Sequence, residues 1–257
     1  MIEDSDSYNW IIAPIGNCIK FIIEEIALAS LIQRSMAALK GAGPLLSLAR
    51  EQLLKAKKQV AHINSLLAEQ PYLDKSANDL IDSDFDSVNS HSLIGMWGAI
   101  EIAVEDTIVL ILMKDESAVD VLIMNNIKTI DLIKGAISEV DGRRLFSKLE
   151  RSIRSKLPVG KAYSKMLEIF GLNINCSLNT LEKLNEVNSV RNCLLHRGGF
   201  LDEKAIKECP LLKPYTGRKF IVSRKLYLEY YEAIEDFAKS FVHAAAKSKY
   251  VRIKQSN

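Results

Sequence analysis

The residues with the clearest chemical potential lie in one short stretch, Ser189–Gly199. It places Arg191 and His196 five positions apart, with Asn192 directly after the arginine. A guanidinium is a planar, permanently charged donor for phosphate oxygens, and an imidazole accepts or donates a proton at cellular pH. Asn192 can hold a reacting oxygen or orient the imidazole. These groups suit a phosphodiester. In RNA the neighbouring 2′-hydroxyl can itself attack the phosphate, so the chemistry requires neither a metal ion nor a protein nucleophile.

The stretch is expected to lie at the end of an amphipathic helix. Either Ser177 or Asn179 is expected to cap the start of this helix, and Asn179 with Glu182 has the spacing of a capping box. The double glycine Gly198-Gly199 predicts a stop directly after His196. The inward stripe is formed by Leu181, Leu184, Val187 or Val190, Leu194 and Leu195.

The helical turn of 100° per residue decides which motif residues share a face. Asn192 and His196 are four apart and lie one above the other, whereas Arg191 flanks that face. The motif is therefore expected to present a fork-shaped donor, an amide and an imidazole near one helix end.

Other polar clusters give weaker signals. The four cysteines have no CxxC spacing, and the four histidines have no mutual ligand spacing. Glu101 and Glu105, one turn apart, suit acid/base groups or a metal pair, but also a solvated face or partners for basic side chains. The aspartates within residues 70–90 lack the glycine turn and closing glutamate of a calcium loop. The sequence therefore predicts no bound metal and no cofactor.

The helical periodicity of the whole chain predicts an all-α protein. There are no alternating strands, no P-loop and no G-x-S-x-G elbow. Within residues 1–72, two apolar stripes separated by Gly41–Pro44 predict an N-terminal antiparallel helical hairpin for packing, oligomerisation or partner binding. Residues 73–90 are interpreted as an acidic linker, and residues 91–257 as a helical domain.

Three long helical segments are expected in that domain. Residues 93–113, capped by Ser92, are densely apolar and predict a central core helix. Residues 118–157 are expected to be helical with a break near 141–142, and residues 223–249 form the final helix. The second segment carries a basic face, either a phosphate-tracking surface or an ordinary solvated one. Its members are Arg143, Arg144, Lys148, Arg151, Arg154 and Lys156.

The charge distribution bears on partners and location. The 257 residues carry a net charge of only +2, but residues 204–257 hold 12 Lys and Arg against 5 Asp and Glu, or +7. Such a segment attracts a polyanion or forms a solvated helix face. The apolar run 10–32 is interrupted by Lys20, Glu24 and Glu25, which argues against a membrane span. With no signal peptide in evidence, we expect a cytoplasmic protein with free cysteines.

The motif Arg191-Asn192-x3-His196 resembles the Arg-polar-x(3–5)-His signature of the HEPN superfamily. The resemblance covers about residues 90–250 and is most specific over 185–230. It extends to segments typical of bacterial members, namely Gly-Gly at 198–199, Cys-Pro-Leu-Leu at 209–212, Gly-Arg-Lys-Phe-Ile-Val-Ser at 217–223 and the long terminal helix.

This resemblance implies an HEPN-like helical bundle that forms a homodimer and places two copies of the motif across a shared cleft. Members with this motif are typically metal-independent endoribonucleases, and many are toxins or antiviral defence effectors that have an antitoxin or defence-system partner. By position, Arg191 and His196 would be the catalytic pair, Asn192 the polar helper, and Arg197 an additional RNA contact.

Two alternatives remain open at this stage. The first is a non-catalytic HEPN-like RNA-binding or adaptor domain, in which Arg191 makes a structural ion pair and His196 is a helix C-terminal residue favoured by the helix dipole. The second is a scaffold assembled through the N-terminal hairpin. The expected distinction between catalysis and the first alternative is whether Arg191 and His196 are exposed in a basic cleft or buried with partners.

Overall fold

The computed structural model describes residues 10–125 and 137–252, and this part of the chain is all-α, as expected. Beside the α-helices it has two short 3-10 helices, Pro210–Tyr215 and Lys249–Arg252, and an isolated β-bridge between Phe200 and Lys219. The helices are α1 (Ala13–Leu39), α2 (Ala42–Lys55), α3 (Ala61–Asp82), α4 (Asp86–Lys114), α5 (Ala118–Met124), α6 (Glu139–Arg154), α7 (Val159–Ile169), α8 (Leu178–His196), α9 (Glu203–Glu208) and α10 (Arg224–Lys247).

Helix α4 is the centre of the core, as its dense apolar content predicts. Fourteen of its 29 residues are buried, so it has partners on most sides, and α1, α6, α8 and α10 pack around it. It begins at Asp86, earlier than expected, so the predicted cap at Ser92 is wrong. Ser92 is instead a buried residue within the helix, and its hydroxyl forms a 2.9 Å hydrogen bond with the hydroxyl of Tyr227.

Helix α1 joins the same core through the stripe that its periodicity predicts. Ile15, Ile22 and Ala29 are buried in one cluster with the apolar side chains of α4. The polar Gln33 of α1 is also buried, and its Nε2 donates to Oδ1 of Asn89 on α4 at 3.2 Å. The main packing partner of α1 is therefore α4, while α2 has no buried residue.

The apolar stripe predicted after Gly41–Pro44 crosses a helix break between α2 and α3. Lys57 adopts a positive φ of 54°. The Lys58 amide donates to the Leu53 carbonyl at 2.9 Å, and the Lys57 amide donates to the Leu54 carbonyl at 3.0 Å. These two bonds form a Schellman motif, which ends a helix by placing one residue in the left-handed region. Glycine usually takes that position, so the lysine gave no signal of a stop.

Residues 73–90, interpreted from the sequence as an acidic linker, are helical over most of that range. Helix α3 passes through Pro71 and continues to Asp82. A second Schellman motif follows, in which Asp84 has φ 52° and the Phe85 amide donates to the Leu80 carbonyl at 2.8 Å. Helix α4 begins at the next residue. The acidic segment is thus two helix ends and a tight turn.

Two aspartates of the acidic segment 73–90 bind backbone amides of the segment that leads into α10. Oδ1 of Asp86 accepts from the Val222 amide at 2.8 Å, and Oδ2 of Asp84 accepts from the Arg224 amide at 2.7 Å. Asn89 adds a bond from Nδ2 to the Val222 carbonyl at 2.9 Å. Because these contacts join positions over 130 residues apart, they fix the start of α10 against α4.

The helix expected over 118–157 corresponds to α5 and α6, while residues 126–136 lie outside the described residues. Helix α6 begins after Ser138, whose Oγ accepts from the Asp141 amide at 3.2 Å, so Gly142 lies inside the helix. The final helix begins after Ser223, whose Oγ accepts from the Leu226 amide at 3.3 Å. No helix among the described residues combines the length and apolar character needed to cross a bilayer.

Candidate functional site

The predicted motif lies in the last turns of α8, Leu178–His196. The helix starts at Ser177, the first of the two expected caps, whose Oγ accepts from the Thr180 amide at 3.0 Å. It stops before Gly198 and Gly199, which both have positive φ, at 60° and 90°. Both ends therefore agree with the sequence prediction, and the stop leaves His196 as the last helical residue.

The buried face of α8 fixes the direction in which the motif points. Leu184, Val187, Val190 and Cys193 are buried in the core. Leu195, which was expected to face inward, is instead 46% exposed. Cys193 therefore completes the inward stripe in place of Leu195, while Leu194 is partly buried against the same core.

A cavity of about 240 Å³ opens at the end of α8, between this helix and α9. His196 and Asn192 lie together on its wall, as expected for residues one helical turn apart. The imidazole of His196 belongs to an exposed residue and has no hydrogen bond to another described residue. The residues that line the cavity include Ser189, Asn192, Cys193, His196, Arg197 and Asp202.

Arg191 does not line this cavity but flanks it, as the helical geometry predicts. Its side chain is 23% exposed, and its Nη2 lies 3.0 Å from Oε2 of Glu101 on α4. The other carboxylate oxygen of Glu101 accepts a long hydrogen bond, 3.5 Å, from the hydroxyl of the buried Tyr163. The guanidinium is therefore held by a carboxylate 90 positions away in sequence.

Asn192 connects the arginine with the cavity. Nη1 of Arg191 donates to Oδ1 of Asn192 at 2.9 Å, while Asn192 also lines the cavity beside His196. The structure thus brings Asn192, His196 and Arg197 to one cavity and ties Arg191 to its edge. The buried Nε of Arg191 has no hydrogen-bond partner among the described residues.

Arg197, the expected additional RNA contact, forms an ion pair at the cavity rim. Its Nη1 lies 2.6 Å from Oδ2 of Asp202, and Oδ1 of the same aspartate accepts from the Ala205 amide at 2.8 Å. Asp202 therefore both caps α9 and holds Arg197. Sequence reasoning missed this short helix, although an aspartate directly before Glu203 is a typical helix start.

Cys193 is the one thiol in the lining described for this cavity. Burial raises its pKa to about 11. A thiol with so high a pKa stays protonated at neutral pH, and the thiolate is the reactive form of cysteine. Cys193 is thus suited to packing the end of α8 and is poorly suited to act as a nucleophile.

Three of the six members of the basic face expected on α6, namely Arg143, Arg144 and Arg154, have acidic partners. Arg143 pairs with Glu105 at 2.8 Å, with Asp106 at 3.0 Å and with Glu139 at 3.0 Å. Arg154 pairs with a glutamate one turn earlier, at 3.1 Å. Of the roles considered for Glu101 and Glu105, the geometry selects partners for basic side chains, and the part of this face around Arg143 is occupied by acids.

No group of three or more His, Cys, Asp or Glu side chains within residues 10–125 and 137–252 is arranged to hold a metal ion. Comparisons of the chain with protein-family models, with curated proteins and with solved structures gave no match. The resemblance to the HEPN superfamily therefore stays a prediction that rests on the motif and its surrounding segments. The chemistry of this site must be argued from its own geometry.

Proposed function

We propose that this chain is a metal-independent endoribonuclease of the HEPN type, in which His196 transfers protons and Arg191 stabilises the charged phosphate. The observation that carries the proposal is the exposed imidazole of His196 on a cavity wall that it shares with Asn192. Through that asparagine the guanidinium of Arg191 is attached to the same edge. The proton-transfer group thus lies one helical turn from the amide that accepts a hydrogen bond from a fixed cationic donor.

The reaction can be written with groups of the substrate and of this chain. The 2′-hydroxyl oxygen of a ribose forms a bond to the adjacent phosphorus, and the bond from phosphorus to the 5′-oxygen breaks. The products are a 2′,3′-cyclic phosphate and a 5′-hydroxyl. One proton leaves the attacking hydroxyl and one reaches the leaving oxygen, which are the steps that His196 would serve as general base or acid. Arg191 would offset the charge that develops on the phosphate.

We further propose that two chains form a homodimer with a composite site. Leu195 is 46% exposed on the same helix face as Arg191, and Ile102, next to Glu101, is 61% exposed. Exposed apolar side chains beside a polar pair suit contact with a second copy. Each motif would then face the other, so that one imidazole accepts a proton while the other donates one. This proposal also includes an HEPN-like bundle preceded by an N-terminal hairpin. It further includes a cytoplasmic location and an antitoxin or defence-system partner.

The second candidate is a non-catalytic RNA-binding or adaptor protein. It is favoured by the ion pair between Arg191 and Glu101, because a guanidinium already bound by a carboxylate of its own chain has a structural role without any substrate. The sequence analysis expected both residues to be exposed in a catalytic protein and both to be buried with partners in a non-catalytic one, and each expectation is met by one residue. His196 is exposed, whereas Arg191 is mostly buried with partners.

The test is cleavage by the purified full-length chain of a labelled RNA in the presence of EDTA, beside His196→Ala and Arg191→Ala. We expect His196→Ala to slow cleavage by about 10²–10⁴ and Arg191→Ala by about 10²–10³. His62→Ala and Arg34→Ala are matched controls, since both residues are exposed outside the cavity and outside the basic face of α6. Equal cleavage by wild type and His196→Ala would refute the assignment, and RNA binding without cleavage would favour the second candidate.

The same variants can be compared in cells. Inducible expression of wild type is expected to inhibit growth and to create new RNA ends with 2′,3′-cyclic phosphates, and His196→Ala to create none. The dimer is tested separately by the solution mass of wild type and of an Ile102→Glu/Leu195→Glu variant, which is expected to be monomeric and inactive. A monomeric wild type that still cleaves RNA would refute the composite site.

A further inference from the structure

A second and larger groove adjoins the cavity at His196. It has a volume of about 650 Å³ and lies between the turn at residues 154–159, helix α8 and helix α9. The two cavities share three lining residues, Ser189, Lys204 and Glu208. Because the two cavities share these residues, they adjoin, and together they are called the channel, which extends from the α6–α7 turn to the end of α8.

The channel is lined by more basic than acidic groups. Asp202 and Glu208 are acidic, and each is paired, with Arg197 at 2.6 Å and with Lys204 at 3.8 Å respectively. Lys156 and Lys207 are exposed and have no ion-pair partner among the described residues. The basic members are Arg154, Lys156, Arg197, Lys204 and Lys207. The two unpaired lysines give the larger groove an uncompensated positive charge.

The floor of the channel is polar. Asn188 and Ser189 are buried, at 5% and 3% exposure, yet both line the groove. Neither side chain has a hydrogen bond to another residue in the described part of the chain. In the described part of the chain, the fully buried side-chain polar atoms without a partner belong to Trp97, Thr107 and Arg191, so the polar atoms of Asn188 and Ser189 are still accessible from the groove. Here an amide and a hydroxyl remain available to a molecule that occupies the groove.

We infer that this channel binds the single-stranded RNA segment next to the phosphate that His196 cleaves. Lys156 and Lys207 contact its backbone phosphates, and Asn188 with Ser189 contacts a base edge or a ribose hydroxyl. A groove of several hundred cubic ångströms accommodates a ligand of drug size, such as an unstacked nucleotide of a single strand, whereas the bases of a duplex stay stacked and paired. The inference rests on the proposed function for the identity of its ligand.

The test measures binding of a fluorescent single-stranded oligoribonucleotide of mixed sequence to the full-length chain carrying His196→Ala, so that cleavage does not interfere. Binding is followed by anisotropy at several salt concentrations. Each phosphate contact to a single strand contributes about 0.7 to the slope of log K against log salt. The double variant Lys156→Ala/Lys207→Ala is therefore expected to lower that slope by about 1.4. Lys58→Ala/Lys75→Ala, outside the channel, is the matched control and is expected to leave it unchanged.

The floor is tested with a variant that changes no charge. Asn188→Leu, similar in volume, is expected to weaken binding about fivefold at every salt concentration, which is the loss of one hydrogen bond, with the slope unchanged. A thermal unfolding curve shows whether this variant stays folded, and the lysine variant remains decisive if it does not. A duplex of the same sequence is expected to compete poorly. An unchanged slope in the channel variant, an equal loss in the control, or equal competition by the duplex would overturn the inference.

The outcomes separate this inference from the proposed function. If RNA cleavage depends on His196 while substitution of the channel lysines leaves RNA binding unchanged, the RNA-binding role of the channel is refuted and the proposed endoribonuclease activity is supported. If the lysines change the salt slope but no RNA is cleaved, the channel stands as an RNA-binding site of a non-catalytic protein.

Discussion

The ion pair between Glu101 and Arg191 allows a quantitative test of how the site is positioned. The two side chains are 26% and 23% exposed, with 3.0 Å between Oε2 and Nη2. An exposed pair contributes about 0.2–1 kcal/mol, whereas removing one partner of a buried pair costs about 3–5 kcal/mol. Because this pair lies between those limits, we expect Glu101→Gln to lower the free energy of unfolding by about 2 kcal/mol. For a chain of this size that is a fall in Tm of about 4–8 °C.

The assay is a double-mutant cycle with Glu101→Gln and Arg191→Met, measured by urea and thermal unfolding. Arg191→Met keeps the apolar stem of the side chain and removes its charge. We expect a coupling energy of about 1–2 kcal/mol, because both side chains belong to one hydrogen-bonded group. A coupling energy below about 0.3 kcal/mol, the level at which distant sites behave additively, would refute the conclusion that Glu101 holds the guanidinium.

Three further outcomes test other parts of the structure. Lys57→Gly is expected to raise the free energy of unfolding by about 0.5–1 kcal/mol, since Lys57 has φ 54° and left-handed conformations cost L-residues about 1–2 kcal/mol; urea unfolding that shows equal gains for Lys58→Gly would contradict this reason. Burial tends to raise the pKa of Asp115, but hydrogen bonds from Lys249 and Ser117 outweigh it and lower that pKa from 3.8. The stabilisation is then complete above the unfolded pKa and is lost as pH falls through the folded one, so the stability difference between wild type and Lys249→Ala should shrink below about pH 3.8. A stability difference that stays constant in thermal unfolding between about pH 6 and about pH 3 would exclude that linkage. Cys193, with a pKa of about 11, should react with iodoacetamide about a hundredfold more slowly than a thiol of pKa 9.0, because its thiolate fraction at neutral pH is about a hundredfold lower; labelling at the rate of an exposed cysteine, as followed by mass spectrometry, would contradict this expectation.

The sequence by itself determined the elements whose ends and faces depend on near neighbours. Ser177 caps α8 through an amide three residues away, and Gly198 and Gly199 end it through their own backbone conformation. The apolar density of residues 93–113 and the stripe of α1 depend on helical periodicity alone. Such features are local, so residue type and spacing suffice to predict them.

Helix ends without a glycine were not predictable in this way. Lys57 and Asp84 both take the left-handed conformation of a Schellman motif, so no residue type marked the stops after α2 and α3. Asp84 has a compensating contact, because its carboxylate accepts from the Arg224 amide 140 positions away. Local propensity thus failed where a distant partner stabilises the turn.

Only the tertiary structure decided which partners the motif residues have. Sequence spacing placed Asn192 and His196 on one face, but it did not show that Glu101 on α4 holds Arg191 or that Asp202 holds Arg197. It also gave no indication that the α6–α7 turn and α9 enclose a channel beside His196. These contacts join segments far apart in the chain, and they form only when the apolar faces of α4, α8 and their neighbours pack into one core.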